Sequence, residues 1–334
     1  MRPSANSVVF RPDLGAMALE LVEDKSTEFI GLEVMPIFRT TLNTSTFPVI
    51  PIEAILAPDK DLSRAPRATY SRSDWEYERG TYKTSEKGTE EPIDDVEREL
   101  FDAETAGSAD FIATERAYKK ILRNQEKRIS SRMFNEANFT AHAVTNEWDN
   151  FSDATPIDDV NDATLSFRNQ CGMLPDGLII SYSTFVNLKS CDQIVDRLKY
   201  SYPGTDINSM TASLLAQVLN VKSVLVGGAV CNSANKGQDA IITDLWSKEY
   251  AQLIKISSGP DISQPGVGRT FLWIEDSQEN PIVEMYREEA RRCDIVRVRH
   301  HVDEAFIQSK DESGNVVSDI AATCAYLLSN ISTS

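Results

Sequence analysis

The residues whose types could do chemistry are three histidines, five cysteines and two pairs of adjacent aspartates. His300 and His301 sit in an alternating run, DIVRVRHHVDEAFI. Successive strand side chains point to opposite faces, so these two imidazoles are poorly placed to share a metal. His142 stands apart from them. Cys171, Cys191, Cys231, Cys293 and Cys324 are dispersed through apolar text with no CxxC pair. An odd, scattered set reads as buried thiols of a reducing compartment, not as a disulfide frame. There is no G-x-S-x-G elbow and no P-loop, and Gly227-Gly228 and Gly266-x-Gly268 read as turns. Asp94-Asp95 and Asp158-Asp159 could pair in space for acid and base work. Both also read as helix entries, where the dipole favours acids. The expectation is no catalytic residue, no cofactor and no metal, with an α/β enzyme as a competing class.

The element that must position everything else is a long helix over 108–138, with Ser108 as its N-cap. Phe111, Tyr118, Ile121, Leu122, Ile129 and Met133 recur at helical spacing without a Pro or Gly to interrupt them. Such a helix would span about 45 Å, too long for one small core to wrap. Its other side carries Arg116, Lys119, Lys120, Arg123, Lys127 and Arg128. That basic face is either a solvated surface, helped by Glu115 with Lys119, or a contact surface for acidic protein segments or nucleic acid.

Before the helix, residues 1–40 hold one short amphipathic helix, Asp13 to Glu23, and look like an arm that packs on something else. Residues 41–92 carry alternating strand text around FPVIPIEAIL and around Trp75, Tyr77 and Tyr82, with a polar stretch between. This predicts a long protruding two-stranded loop, which is marginal alone and needs a neighbour to lie on. The acidic run Glu90, Glu91, Asp94, Asp95 then enters a short helix. Residues 155–256 alternate helices and strands as an α/β block, opened by Thr155 and Pro156. From 257 the text is mainly extended, with strands, including one in the tail from Ile320 to Leu328, expected to cover the long helix.

Composition sets the bounds. The chain has 334 residues, 41% hydrophobic and 25% charged, with a formal charge of −17. It is globular, and its field repels a phosphate backbone unless positive charge is locally segregated. No apolar run approaches a membrane span and no signal peptide is evident, so a membrane partner is not expected.

The order of arm, loop, EEPIDD, long helix, NEWDNFSDATPIDDVNDA, LPDGLIISYSTFVNLKSCDQIVDRLKY and VLVGGAVCNSA resembles the major capsid proteins of tailed bacteriophages over most of the chain. The resemblance implies an α+β fold of the Hong Kong 97 type. In it residues 1–40 are an N-terminal arm and 41–92 an extended loop lying across the adjacent subunit. Residues 93–154 and 257–334 are a peripheral domain with spine helix 108–138, and 155–256 an inserted axial domain. It further implies a coat protein of the virion, assembled in the host cytoplasm as pentamers and hexamers of itself. Scaffolding, portal and decoration proteins are possible partners, and packaged DNA is touched only non-specifically. Interface residues between copies are then expected at Trp75, Tyr77, Tyr82, Glu90, Glu91, Asp94, Asp95, Arg116, Lys120, Arg123 and Lys127. An encapsulin-like nanocompartment shell is the alternative with the same fold.

Overall fold

Two layers, one sheet and one long helix, form one half of the molecule in a computed structural model. The structure describes residues 9–23, 29–51, 54, 56, 63–70, 77–104, 109–201, 210–235, 237–257 and 264–332. At the N-terminus, strand β1 (Val9–Phe10) and helix α1 (Pro12–Glu23) lead to a single turn, α2 (Gly31–Val34), and strand β2 (Ile37–Thr40). A ribbon follows, β3 (Thr44–Val49) paired antiparallel with β4 (Glu78–Lys83). The chain then runs through β5 (Ser85–Asp94) and α3 (Asp95–Glu104) into the long helix α4 (Ala109–Met133).

Helix α4 has 25 residues, about 37 Å of axis. Ala109, Ala113 and Ala117 are buried at i, i+4 spacing, and their small side chains let the helix lie close on the sheet beneath. Tyr118, Ile121, Leu122, Ile129 and Met133 are buried as expected, whereas Phe111 is only partly covered. The helix ends before 138 because asparagine side chains take over the backbone's partners. Asn135 Oδ1 accepts from the Ala137 amide at 2.9 Å, and Asn138 Nδ2 donates to the Arg132 carbonyl at 2.9 Å. Ser108, the expected cap, lies outside the described residues.

The other half is the α/β block. Strand β6 (Ala141–Ala143) precedes α5 (Pro156–Cys171), β7 (Gly177–Ser181), α6 (Tyr182–Ser190), α7 (Asp192–Ser201), α8 (Ala212–Val218) and β8 (Ser223–Gly227). Helix α5 starts at Pro156 and stops at Gly172, whose φ of +68° is the left-handed cap glycine adopts readily. The Leu56 side chain lies against Gly172, where a Cβ would meet it at 2.9 Å. A hairpin of β9 (Val230–Asn232) and β10 (Ile242–Asp244) leads to β11 (Ala251–Ile254).

The chain then returns to the six-stranded sheet beside the long helix as β12 (Gly268–Trp273), β13 (Ile282–Glu288) and the 14-residue β14 (Cys293–Phe306). A small hairpin, β15 (Gln308–Lys310) with β16 (Val316–Asp319), the turn α9 (Ile320–Thr323) and β17 (Ala325–Ser329) complete it. Strand β14 pairs with β5 over 293–302, with β13 over 293–299 and with β12 over 302–306. Its side chains alternate: Val296, Val298, His300, Val302 and Glu304 are buried, while Arg297, Arg299, His301 and Asp303 are only partly covered.

Three expectations are corrected by this topology. The loop ends at Lys83, because residues 85–94 form the edge strand β5, not loop or helix entry. Pro92 is tolerated there, since an edge strand leaves one side of its backbone unpaired. The tail strand Ala325–Ser329 does not cover the long helix; it lies between β6 and β11 in the five-stranded sheet β6-β17-β11-β7-β8. AYLLS is apolar on both sides and mostly buried, so a central position suits it better than a half-exposed one. Third, the N-terminal segment packs on its own chain: β1 pairs with β13, and Leu14 of α1 joins the core with Tyr118 and Val283.

Candidate assembly surfaces

The ribbon was expected to show one aromatic face to a neighbour. Instead its base is anchored inside the chain. The Tyr82 ring stacks on Phe271 with centroids 4.2 Å apart and planes 6° from parallel, and Phe47 lies 5.5 Å from the same ring. Gly80 is needed beside them, because a Cβ there would meet the Phe47 ring at 2.4 Å. The Tyr82 hydroxyl lies 2.6 Å from the Thr40 hydroxyl and 3.1 Å from the Leu42 carbonyl oxygen. Tyr82 is thus a buried anchor rather than a free contact. Tyr77, five residues earlier and just outside β4, is 62% exposed, and Trp75 lies outside the described residues. Replacing Tyr82 by Phe keeps the ring and loses the hydroxyl's partners. The expected cost is about 1 kcal/mol in urea unfolding, with particle formation unchanged; loss of particles from a folded variant would return Tyr82 to the interface.

The acidic run is matched within the chain. Glu90 accepts from Arg297 Nε at 2.8 Å and from the Tyr286 hydroxyl at 3.1 Å. Asp94 accepts the Val96 amide at 2.9 Å and so caps α3. Asp95 takes both arms of Arg287, at 2.6 and 2.9 Å, and that hydrogen-bonded guanidinium holds its carboxyl below the usual carboxylate range. Glu91 is more loosely held, 3.9 Å from Arg116 and 3.8 Å from Lys120.

On α4, Arg116, Lys120, Arg123 and Lys127 are exposed as expected. Lys119 pairs with Glu115. Arg128 leaves this face: it turns to the sheet and grips Glu304 with contacts of 3.0 and 2.5 Å. Its place on the helix wheel, about a quarter-turn from the other four, explains the departure.

Sequence reasoning missed Glu126. It is buried, and its Oε1 accepts the Ile30 amide at 3.0 Å and the Trp246 indole N–H at 2.7 Å, while Oε2 accepts the Gly31 amide at 2.8 Å. One carboxylate therefore ties the N-terminal segment, the long helix and the α/β block together. Its signal was present: Glu126 stands four residues after Leu122 and three before Ile129, on the apolar stripe. Also missed was the β9–β10 hairpin, whose Val230, Ile241 and Ile242 are exposed.

The groups with chemical potential are quiet. His300 is buried with Nδ1 2.7 Å from Asn280 Oδ1, and desolvation, with Arg128 nearby, drives its pKa down to about 3. His301 lies on the other face, edge-on to Trp273. Burial pushes the Cys191 thiol up to about 11 and Cys324 up to about 12, the opposite of what a nucleophilic cysteine needs. Among the described residues, no helix is long and apolar enough to cross a membrane.

No protein-family profile matches the chain. A curated relative, the major capsid protein of Burkholderia phage BcepMu, is 24% identical over 282 residues, covering 81% of this chain and 85% of the relative. Among solved structures, a phage-related protein from Bordetella bronchiseptica superposes with a TM-score of 0.67 at 20% identity, covering 97% of this chain and 98% of that one. A virus-like particle from Pyrococcus furiosus gives 0.52 at 10% identity, covering 96% and 98%. The helix-on-sheet half with its inserted α/β block is the Hong Kong 97-type capsid fold. In sequence and fold the chain is thus similar, over most of its length, to the major capsid proteins of tailed bacteriophages.

Proposed function

We propose that this chain is the coat subunit of a tailed-phage head, arranged as pentamers and hexamers of itself around viral double-stranded DNA. Its role is structural rather than enzymatic, and its place is the virion, built in the host cytoplasm. We assign the α/β block from about 155 to 256 to the axial contacts within a ring. The ribbon tip between β3 and β4 is the part that crosses onto the next copy. Scaffolding, portal and decoration proteins are its expected partners.

The observation that carries this reading is where the uncovered apolar side chains lie. Tyr70 and Tyr77 of the loop, Val230 and Ile242 of the β9–β10 hairpin, and Val316 and Val317 of the β15–β16 hairpin are all 41–73% exposed. They sit on two-stranded or loop elements at separate places. A two-stranded hairpin is marginal on its own, so several such elements with uncovered apolar residues fit a subunit that touches several siblings. Each contact can be modest, because closure multiplies them.

A nanocompartment shell is the second reading, favoured by the likeness to the Pyrococcus furiosus particle. Electron microscopy of the purified protein tests both. Closed particles are expected; a monodisperse monomer would overturn the reading, and particle diameter with nucleic-acid content separates head from compartment. A sharper test replaces residues 52–76 by a short Gly-Ser linker. Val49 and Glu78 are paired across the ribbon, so the linker keeps the base of the ribbon closed, at the loss of the half-exposed Leu56 contact on Gly172. The expected product is a soluble, folded subunit that forms no particles; normal particles would remove the loop from the interface.

A further inference from the structure

The solvent side of α4 carries a charge stripe that particle closure does not by itself require. At 3.6 residues per turn, Arg116, Lys120, Arg123 and Lys127 fall within about 60° of arc and about 17 Å of axis. All four are exposed, with the side chains of Arg116 and Lys120 at 69% and 63%. Lys119 flanks them with Glu115 as its partner. The other nearby acid, Glu91, is at 3.8–3.9 Å, and with Arg116, Lys119, Lys120 and Arg123 it lines a shallow groove between β5 and the helix. Positive charge therefore exceeds negative along the stripe, in a chain whose formal charge is −17.

The other outer surface of this two-layer unit is different. There Arg297 is matched by Glu90, Arg299 by Glu284 and Asp276, and Arg287 by Asp95. These three arginines of the sheet side each have an acidic neighbour within 3 Å, whereas on the helix side Arg116, Lys119, Lys120, Arg123 and Lys127 share Glu91 and Glu115. At physiological salt the screening length is about 8 Å, so an approaching polyanion senses the stripe more than the acids behind the sheet.

Two kinds of partner could use such a stripe, an acidic protein segment or a phosphate backbone. Protein interfaces are built on apolar and aromatic anchors and are depleted in lysine at their centre. Among the described residues of α4 no large hydrophobic side chain is exposed. A phosphate backbone needs no such anchor, only cations that displace its counterions. About 17 Å of helix lies alongside roughly five phosphates of one strand at about 3.4 Å each.

We propose that Arg116, Lys120, Arg123 and Lys127 bind the phosphate backbone of the DNA that the shell encloses. This assignment rests on the coat-protein reading, and its test separates the two. The purified protein, kept below the concentration at which particles close so that the helix side is open to solution, is titrated with a labelled 30-base-pair duplex, a probe length of about three helical turns, at several salt concentrations. Four phosphate contacts give an expected log–log salt slope of about −3.6. The variant R116Q/K120Q/R123Q/K127Q keeps helix propensity; it should bind the duplex at least about tenfold more weakly at low salt and lose most of the slope. Its circular dichroism and its particles in the microscope should be unchanged. Wild-type-like duplex binding by the variant, or no duplex binding by the wild type, would overturn the assignment. So would a variant that folds and binds duplex but forms no particles, which would make the stripe a contact between copies. Should the wild type form no particles while the variant still loses duplex binding, the coat reading fails and the stripe remains a phosphate site.

Discussion

Replacing Glu126 by alanine is expected to destabilise the chain by about 3 kcal/mol or more in urea unfolding. The carboxylate has three donors, the Ile30 and Gly31 amides and the Trp246 indole, at 2.7–3.0 Å. Each buried donor left without an acceptor costs about 1–3 kcal/mol, and water entering the new space recovers only part of it. The loss should also be local. Hydrogen exchange at Ile30 and Gly31 is expected to accelerate far more than exchange in β7 or β11, because only the former lose their acceptor. A shift of less than about 1 kcal/mol would mean that the three contacts are incidental to the joint between the halves.

The same carboxylate gives a pH signature. Burial raises its pKa above the usual carboxylate value, outweighing the three donors that lower it, with Glu33 adding repulsion. A raised folded-state pKa means the folded chain takes up this proton at a higher pH than the unfolded chain, whose value is about 4.3. The penalty for ionised Glu126 is therefore fully present above the folded pKa and is relieved as pH falls through it. Glu126→Gln removes that proton altogether. Measured against this variant, the wild type should gain stability as pH falls toward the unfolded value, and a constant difference would show that burial does not control the group.

Much of this architecture was legible, for identifiable reasons. The long helix announced itself through an uninterrupted apolar stripe. Helix α5 is bounded by Pro156 and Gly172, residues with local backbone effects of their own, although the Thr155 side chain makes no capping hydrogen bond. The ribbon strands followed from alternation. What escaped was decided by pairing at long range. EEPID reads as acids gathered at a helix entry, yet Glu91 and Ile93 face α4, and residues 85–94 are held by ten partners along β14. Nothing local says that AYLLS enters the α/β sheet, since its neighbours β6 and β11 come from other parts of the chain. Among the interface candidates, Trp75, Tyr77 and Tyr82 read in sequence as one aromatic stripe. The fold separates it, with Tyr82 under Phe271 and Tyr77 in solvent, because the ribbon base lies on the chain's own core. The basic stripe was legible for a simpler reason: exposure on a helix follows from its periodicity, and only Arg128, off the common arc, was misplaced.

Arg128 supplies the other large effect. Its guanidinium meets Glu304, whose side chain is 2% exposed, under the long helix, with Lys87 and His300 as charged or titratable neighbours. Arg128→Leu leaves that carboxylate buried without its counterion, and the expected cost is about 3–5 kcal/mol. The double variant Arg128→Leu/Glu304→Leu should recover most of it, since a buried pair replaced by apolar side chains is often neutral or better. The pair also predicts acid sensitivity of opposite sign to Glu126. Although burial alone would raise the Glu304 pKa, the hydrogen bond and charge of Arg128 hold it below the usual value. Its contribution is then present above the unfolded value of about 4.3 and is lost as pH falls through the folded pKa. The deficit of the single Leu variant should accordingly be largest near neutrality and shrink in acid. A single variant as stable as the wild type at neutral pH would show that the long helix is held to its sheet by apolar packing alone, with Arg128 and Glu304 contributing nothing to the joint.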